Sequence, residues 1–267
     1  MKILGGINNN KTIKNILKKY GIRPFLRKIR KKIFPVKSPN YIQIQSLFKD
    51  KIGLEIGGPS SVFETYLPVY SSVKHLDGCN FSTSTVWEGN LKEGLFFNYG
   101  TGTGTGYQYI LEATDLSAIE NDHYDFVISA HCLEHVANPL KAVKEWIRVI
   151  KNDGLLLLIL PNKNYCFDHN RNIVAFSHLL QDFENNVDES DLSHLEEIIA
   201  KHDLSMDVVK DKNQFKNRSL KNFENRCLHH HVFDINVLEE LFSFFGLMIL
   251  YRESYRDGHI IIGKKLI

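Results

Sequence analysis

Hydrophobic residues follow two different spacings along this chain, and the two alternate from about residue 51 onward. Short apolar runs predict buried strands, and apolar residues that recur every three or four positions predict amphipathic helices. The strongest predicted strands are Tyr124–Ala130 and Gly154–Leu160, the second being the most apolar run of the chain. Between them, the apolar stripe of Asn138–Ile150 predicts a helix.

The same patterns predict the remaining elements of the domain. Further strands are expected at Lys51–Ile56, Val73–Leu76, Tyr107–Ala113, Leu247–Arg252 and His259–Ile262, and further helices at Ala175–Glu184, Asp191–His202 and Val237–Phe245. Strands that alternate with helices imply an α/β fold with a doubly wound sheet. Residues 162–226 interrupt this alternation with polar sequence, so we expect a helical insertion after the fifth strand that covers the carboxyl edge of the sheet.

A glycine-rich run at Gly100–Gly106 raises the question of a phosphate-binding loop. Such a loop also needs a Gly-Lys-Ser/Thr sequence, which the run lacks. We therefore predict a flexible loop there.

The composition excludes several classes of protein. Of 267 residues, 43% are hydrophobic and 24% are charged, as in globular domains and unlike disordered or fibrous chains. No apolar run reaches the roughly 20 residues that span a bilayer, and the first residues lack a secretory signal. The four cysteines have no metal-finger spacing, so reduced thiols and a cytoplasmic location are expected.

Charge divides the chain into a basic extension, residues 1–50, and a domain, residues 51–267. The extension contains 13 Lys and Arg against one acidic residue, whereas the domain contains 20 against 30. Within Lys11–Phe34, Gly21 and Pro24 separate two short predicted helices. These helices either pack on the acidic domain or contact anionic lipid at the inner face of the membrane. Nucleic acid is not an expected partner, because no recognised nucleic-acid-binding module follows the extension.

Glycines and acids near the strand ends indicate a nucleotide-like cofactor. Gly57 and Gly58 follow the first strand, where glycine lets the backbone approach a ligand closely. Asp77, after the second predicted strand, is a candidate for binding ribose hydroxyls, and Thr114-Asp115 for binding an adenine amino group. On these residues alone, a nicotinamide-dependent enzyme stays open.

The complete series of motifs resembles the class I S-adenosylmethionine (SAM)-dependent methyltransferases, in their bacterial small-molecule and glycan-modifying branch. The residues that carry this resemblance are Glu55–Ser60, Asp77, Thr114-Asp115, Tyr124–Val127, Ser129–His135, Asn138–Leu140, Trp146, Arg148–Lys151, Asp153-Gly154 and Leu160-Pro161. It covers residues 51–161 and resumes at 229–264. The resemblance implies a Rossmann-like seven-stranded sheet and SAM as the cofactor. It implies cofactor contacts from Glu55, Gly57, Gly58, Ser60, Asp77, Thr114, Asp115, Ala130 and His131.

The insertion is similar to a methyltransferase subfamily associated with surface polysaccharide loci, through residues 165–171, 178–182 and 225–234. This similarity implies O-methylation of a sugar, or of a sugar-linked group, in a bacterial surface polysaccharide. The alternatives are N- or carboxyl methylation of another small metabolite and, from another class, a non-catalytic docking module with a vestigial cofactor site.

A sugar hydroxyl is a poor nucleophile, so we expect a general base, most often histidine. His169 and His229 are the candidate bases, and Asp168 and Arg171 are candidates to orient a base or bind an anionic group. Aromatic residues could stack on a sugar, and the candidates are Trp87, Tyr107, Tyr165 and Phe167.

Metal ligation is the alternative use of these histidines and acids. His131 and His135 have the spacing of a helical metal pair. In the insertion, the potential ligands are Asp168, His169, His178, Asp182 and the triple histidine His229–His231. Because no spacing among them fixes a tetrahedral or octahedral set, we predict no metal site.

Overall fold

The computed structural model describes residues 36–266, so the predicted helices of Lys11–Phe34 lie outside the described residues. The strands are β1 (Ile52–Ile56), β2 (His75–Asn80), β3 (Ser84–Thr85), β4 (Gly89–Asn90), β5 (Gly94–Tyr99), β6 (Gly104–Ile110), β7 (Tyr124–Ala130), β8 (Ile150–Pro161), β9 (Met248–Ser254) and β10 (Gly258–Lys264). Eight of them form one sheet in the order β5-β6-β2-β1-β7-β8-β10-β9, and β3 pairs with β4 in a separate hairpin.

The eight-stranded sheet is mixed but mostly parallel. Strands β6, β2, β1, β7 and β8 pair in parallel, whereas β10 runs antiparallel between β8 and β9. The predicted α/β, Rossmann-like class is confirmed. The predicted count of seven strands is one too few, because β5 adds an antiparallel edge strand next to β6.

Helices cover the two faces of the sheet unequally. They are α1 (Tyr41–Phe48), α2 (Pro139–Val149), α3 (Phe176–Glu184), α4 (Leu195–Lys201), α5 (Lys212–Leu220), α6 (Asn222–Asn225) and α7 (Ile235–Phe244). Helices α2, α3 and α7 contribute to the apolar core on one face. On the opposite face, α1 buries Ile44 and Phe48. Part of the segment assigned to the basic extension therefore packs in the core.

The connection after β1 differs from the regular alternation. The structure describes every residue from Ile52 to Pro139, and no α-helix forms between these two residues. The range contains only two short 3-10 turns, Ser61–Phe63 after β1 and Leu133–His135 after β7. Pro59 and Pro68 each remove a backbone donor in this segment, which disfavours a continuous helix. The expectation of strands alternating with helices is thus wrong for the first half of the sheet.

The glycine-rich run forms a turn and then a strand. Gly100 and Gly102 have positive φ values of 63° and 74° and lie in the predicted loop. Gly104, however, begins β6, so the loop is shorter than predicted.

The central strand β8 has apolar side chains on both faces of the sheet, so both faces must be shielded from water by other elements. Leu156, Leu158 and Leu160 belong to the core on the α2 face, while residues 155, 157 and 159 belong to the core on the α1 face. Successive residues of a strand point to opposite faces, so an unbroken apolar run is buried on both sides.

Residues 162–226 lie between β8 and α7 and contain α3 to α6. In a small separate core, Ile198 and Phe215 of this insertion pack with Leu228, which follows it. Among the described residues, the helices are all too short or too polar to cross a bilayer.

Candidate functional site

A cleft of about 1100 Å³ opens at the carboxyl ends of the parallel strands. Its walls come from the residues that follow β1, β2, β6, β7 and β8, together with parts of the insertion and the turn between β9 and β10. In open α/β sheets, ligands bind at this edge. The cleft is therefore the candidate active site.

The loop after β1 forms one wall and is supported from below by Glu55. The Ser60 N–H and the Tyr70 hydroxyl donate to the two oxygens of this buried carboxyl group, at 2.9 and 2.6 Å. Burial raises the pKa of Glu55 to about 7, although these hydrogen bonds act to lower it. Glu55 does not line the cleft, so it shapes the loop from behind.

Gly57 and Ser60 line the cleft, but Gly58 does not. Gly57 has a φ of 79°, and a Cβ there would lie 2.8 Å from the Cys132 sulfur. A Cβ at Gly58 would overlap the Glu55 carboxyl group. Glycine is thus required at both positions for close packing, and only the first is exposed to a ligand.

Asp77 does not lie where it was expected. Its carboxylate accepts hydrogen bonds from the Tyr107 N–H and the Tyr124 hydroxyl, both at 2.7 Å, and contacts His75 at 2.8 Å. It does not line the cleft, because β2 continues four residues further than predicted. The residue at the end of β2 is Asn80, which lines the cleft and donates to the Gly58 carbonyl at 2.9 Å.

The structure also places Thr114 and Asp115 outside the cleft lining, which after β6 consists of residues 111–113. Asp115 is exposed, and its carboxylate accepts a hydrogen bond from the Ser117 N–H. Glu112 lines the cleft instead and pairs with Arg226 at 2.7 Å. The third predicted strand ends at Ile110, three residues earlier than expected. The residues that line the cleft after this strand therefore come earlier in the sequence than Thr114 and Asp115.

The segment after β7 contributes Ala130, His131, Glu134 and His135 to the cleft. His131 is exposed, whereas Glu134 is buried and both of its oxygens lack a hydrogen-bond partner among the described residues. Burial would raise the pKa of Glu134, but the neighbouring histidines lower it below the ordinary value. A buried, ionised carboxylate therefore lies at the cleft wall.

His229 and Asp168 form a buried pair close to Glu134. The His229 Nδ1 lies 2.5 Å from an Asp168 oxygen, and His229 lines the cleft. This contact occupies Nδ1 and leaves Nε2 as the free ring nitrogen. A histidine oriented in this way by a carboxylate has the arrangement of a general base.

The charges of this pair depend on each other. Burial alone would lower the pKa of His229, but the Asp168 carboxylate raises it above the ordinary value. Burial would likewise raise the pKa of Asp168, yet His229 and Arg171 lower it to about 2. Asp168 thus stays ionised throughout the physiological range.

Arg171 and His169 have different surroundings. Arg171 is buried, donates to the carbonyls of His229 and His230 at 2.7 and 2.9 Å, and contacts Asp168 at 3.3 Å. It thereby fixes the backbone that carries His229. His169 does not line the cleft and instead contacts Asp203 at 3.0 Å. The structure therefore unites Asp168, Arg171 and His229 but not His169.

Two further side chains, Glu134 and His135, lie next to His229. One side-chain ligand atom each from Glu134, His135 and His229 lies within 4.8 Å of the other two. The His135 Nδ1 donates to the Leu228 carbonyl at 3.0 Å, and burial lowers the pKa of His135 to about 4. His135 is therefore neutral at physiological pH.

Aromatic side chains surround the cleft opening. Trp87 is 52% exposed and Tyr165 is 55% exposed, and both line the cleft together with the more buried Phe167. Trp87 packs edge-on against His135, with ring centroids 5.0 Å apart. Tyr107, the fourth candidate, does not line the cleft and packs against Tyr109.

The sequence analysis missed Asn80, Glu112, Glu134, Glu189 and Arg226, all of which line the cleft. Arg226 contacts Glu112 at 2.7 Å and Glu189 at 3.2 Å, and so joins the insertion to the loop after β6. No spacing signal marks residues that are so distant in sequence. Glu134 could have been identified from the sequence, since it lies between His131 and His135, which the sequence analysis had named as candidates.

A family model and several solved structures are similar to this chain. Residues 71–158 match the model of a family described as a methyltransferase domain. Similar solved structures include SAM-dependent methyltransferases from Methanosarcina mazei (18% identity, 86% of this chain and 98% of that chain, TM-score 0.46), Aquifex aeolicus (11%, 91% and 98%, 0.41) and Thermotoga maritima (15%, 94% and 99%, 0.41). These likenesses concern the fold alone. None of the curated proteins matches the sequence.

Proposed function

We propose that this chain is a SAM-dependent methyltransferase that transfers the methyl group to a hydroxyl group of a sugar or of a sugar-linked acceptor. The observation that carries the proposal is the buried His229–Asp168 pair at the wall of the cleft. A hydroxyl acceptor has a proton to lose, and this pair supplies the base that removes it.

The residues around the cleft fit SAM. Gly57 leaves room for a ligand beside the loop after β1, and Asn80 presents a carboxamide at the end of β2, where ribose hydroxyls bind in this kind of fold. The cofactor supplies a methyl group that is already activated by its sulfonium, so the protein mainly orients the acceptor and accepts one proton. The residues that would hold it are Gly57, Ser60, Asn80, Glu112 and His131.

In the proposed reaction, the Nε2 of His229 accepts the proton of the acceptor hydroxyl. The oxygen forms the new bond to the methyl carbon as the carbon–sulfur bond breaks, and S-adenosylhomocysteine is released. Asp168 stabilises the imidazolium that forms, because its carboxylate is already at hydrogen-bond distance from Nδ1. Arg171 holds the backbone of His229 through the whole step.

The open side of the cleft supports a saccharide acceptor. Trp87 and Tyr165 expose aromatic faces there, and aromatic rings stack on the apolar faces of sugars. Placing that sugar in a surface polysaccharide rests on the resemblance of the insertion and on nothing in the cleft itself.

An amine is the second candidate acceptor, and Glu134 favours it. Its buried carboxylate has no hydrogen-bond partner among the described residues and would attract a cationic amine. The amine would lose its proton to the same base before it attacks. The two candidates differ in the bond that forms, carbon to oxygen or carbon to nitrogen.

The test is a screen of sugars, nucleotide sugars and small amines with methyl-labelled SAM, followed by NMR of the product. The proposal expects a methoxy signal, and the loss of turnover in His229→Ala while His123→Ala stays active. His123 is exposed and does not line the cleft, so it is a matched control. An N-methyl product would replace the first candidate by the second. Full turnover in His229→Ala would overturn the assigned base.

A further inference from the structure

Outside the cleft, four potential metal ligands meet where the insertion returns to the sheet. His178 and Asp182 lie one turn apart on α3, His194 precedes α4, and His231 lies in the segment before α7. One ligand atom from each lies within 4.8 Å of the other three. Asp182 and His231 are buried, and His178 and His194 are half-buried.

The separations between these atoms match a tetrahedral site. Ligands bound to zinc at about 2.0–2.1 Å lie roughly 3.3 Å from one another around a tetrahedron. The His178 and His194 Nε2 atoms are 3.0 Å apart, and the His178 Nε2 is 3.5 Å from an Asp182 oxygen. The same oxygen lies 3.3 Å from the His231 Nε2.

The polar atoms of the cluster do not satisfy one another. The Asp182 Oδ2 and the His231 Nδ1 are buried and have no hydrogen-bond partner among the described residues. The His231 Nε2 also lies 3.3 Å from the Ala137 carbonyl. Unpaired buried polar atoms are costly, and a cation at the centre of the cluster would satisfy the Asp182 Oδ2.

We propose that His178, Asp182, His194 and His231 bind one Zn²⁺ ion in a closed structural site. Three imidazoles and one carboxylate form a donor set that suits zinc, and four protein ligands leave no open position for a substrate.

The position of the ion gives it a specific role. It joins α3 and the start of α4 to the segment that carries His231, two residues beyond the cleft residue His229. Binding of one ion therefore fixes the insertion against the core, next to the proposed base. None of the four ligands lines the cleft, so the ion acts on folding and not on the methyl group.

The experiment measures zinc in the full chain, expressed with zinc and purified without chelators. Elemental analysis should give about one zinc per chain for the unmodified protein, and little for Asp182→Asn and His194→Ala. His123→Ala and His229→Ala should keep it. The His229 variant separates this site from the cluster of Glu134, His135 and His229 in the cleft.

A variant in which one zinc-binding residue replaces another keeps the proposal testable if these variants fail to fold. His194→Cys replaces an imidazole by a thiolate, which is also a zinc ligand. Loaded with Co²⁺, this variant should gain a thiolate-to-cobalt absorption band that the unmodified protein lacks. A chelator should lower the melting temperature of the unmodified protein and leave that of Asp182→Asn unchanged.

Three results would overturn the proposal. They are a zinc-free protein that also fails to take up added Zn²⁺, zinc that is kept by Asp182→Asn but lost from His229→Ala, and a Co²⁺-loaded His194→Cys without the thiolate band.

Discussion

The Nδ1 of His229 lies 2.5 Å from Oδ2 of Asp168, although 61 residues separate them in the sequence. Both side chains are buried, and Arg171 bonds to the Asp168 carboxylate and to the His229 carbonyl. A carboxylate held in this way fixes the ring of the histidine and stabilises its protonated form. This pair is the basis of the first two predictions.

We expect His229→Ala to lower kcat by about 10²–10⁴, because a general base contributes a factor of this size. Cofactor affinity should change little, since the pair lies on the acceptor side. Steady-state kinetics on the identified acceptor and calorimetry with SAM check the two parts. His169→Ala is the control and should keep full activity, because His169 contacts Asp203 outside the cleft.

The acidic limb of the pH–rate profile should report the pKa of His229, which Asp168 raises above 6.5 against the lowering effect of burial. Only the neutral imidazole accepts a proton, so kcat/KM should rise with pH through that value. Asp168→Asn removes the negative charge, so the protonated form loses stabilisation and the limb should move to lower pH. A limb that stays in place would assign the titration to another group.

Substitution of Asp77 should lower the stability of the protein, whereas substitution of Asn80 should lower its affinity for SAM. Asp77→Ala leaves the Tyr107 N–H and the Tyr124 hydroxyl without their acceptor, so unfolding should become easier by roughly 2–5 kcal/mol. Its affinity for SAM should be unchanged in the folded protein. Asn80→Ala should weaken SAM binding by roughly tenfold, the loss of about one hydrogen bond. Urea unfolding and calorimetry on both variants distinguish the two roles.

Glu55 should make the protein less stable as the pH rises. Its pKa is 4.5 in the unfolded chain and about 7 when folded, because burial disfavours the charged form. The stabilisation from the bound proton is full below pH 4.5 and is lost as the pH rises through about 7. The difference amounts to roughly 3 kcal/mol. Urea unfolding at about pH 5 and about pH 8 should show this loss, and Glu55→Gln should abolish it.

Trp87→Ala should raise the KM for a sugar acceptor by roughly 2- to 10-fold, because the loss of one aromatic contact weakens binding by about this factor. Trp87 is half-exposed at the cleft opening, so its loss should affect neither folding nor SAM binding. Trp87→Phe should restore most of the affinity. An unchanged KM in the alanine variant would place the acceptor elsewhere in the cleft.

The sequence alone determined the sheet and its chemistry class. Apolar runs such as Tyr124–Ala130 and Gly154–Leu160 can only be buried strands, and the structure has both within β7 and β8. The order of strand and helix patterns was sufficient for the α/β class, because these patterns are local. SAM as the methyl donor was implied only by the resemblance of the motifs to a known family.

Only the tertiary structure decided which side chains meet. Pairing with β1 and β6 extends β2 to Asn80, and this leaves Asp77 inside the sheet and Asn80 at its edge. His169 and His229 looked equivalent in the sequence, but the fold brings Asp168 to His229 and Asp203 to His169. Strand patterns are read over a few residues, whereas these contacts join segments tens of residues apart, so they depend on how the insertion packs against the sheet.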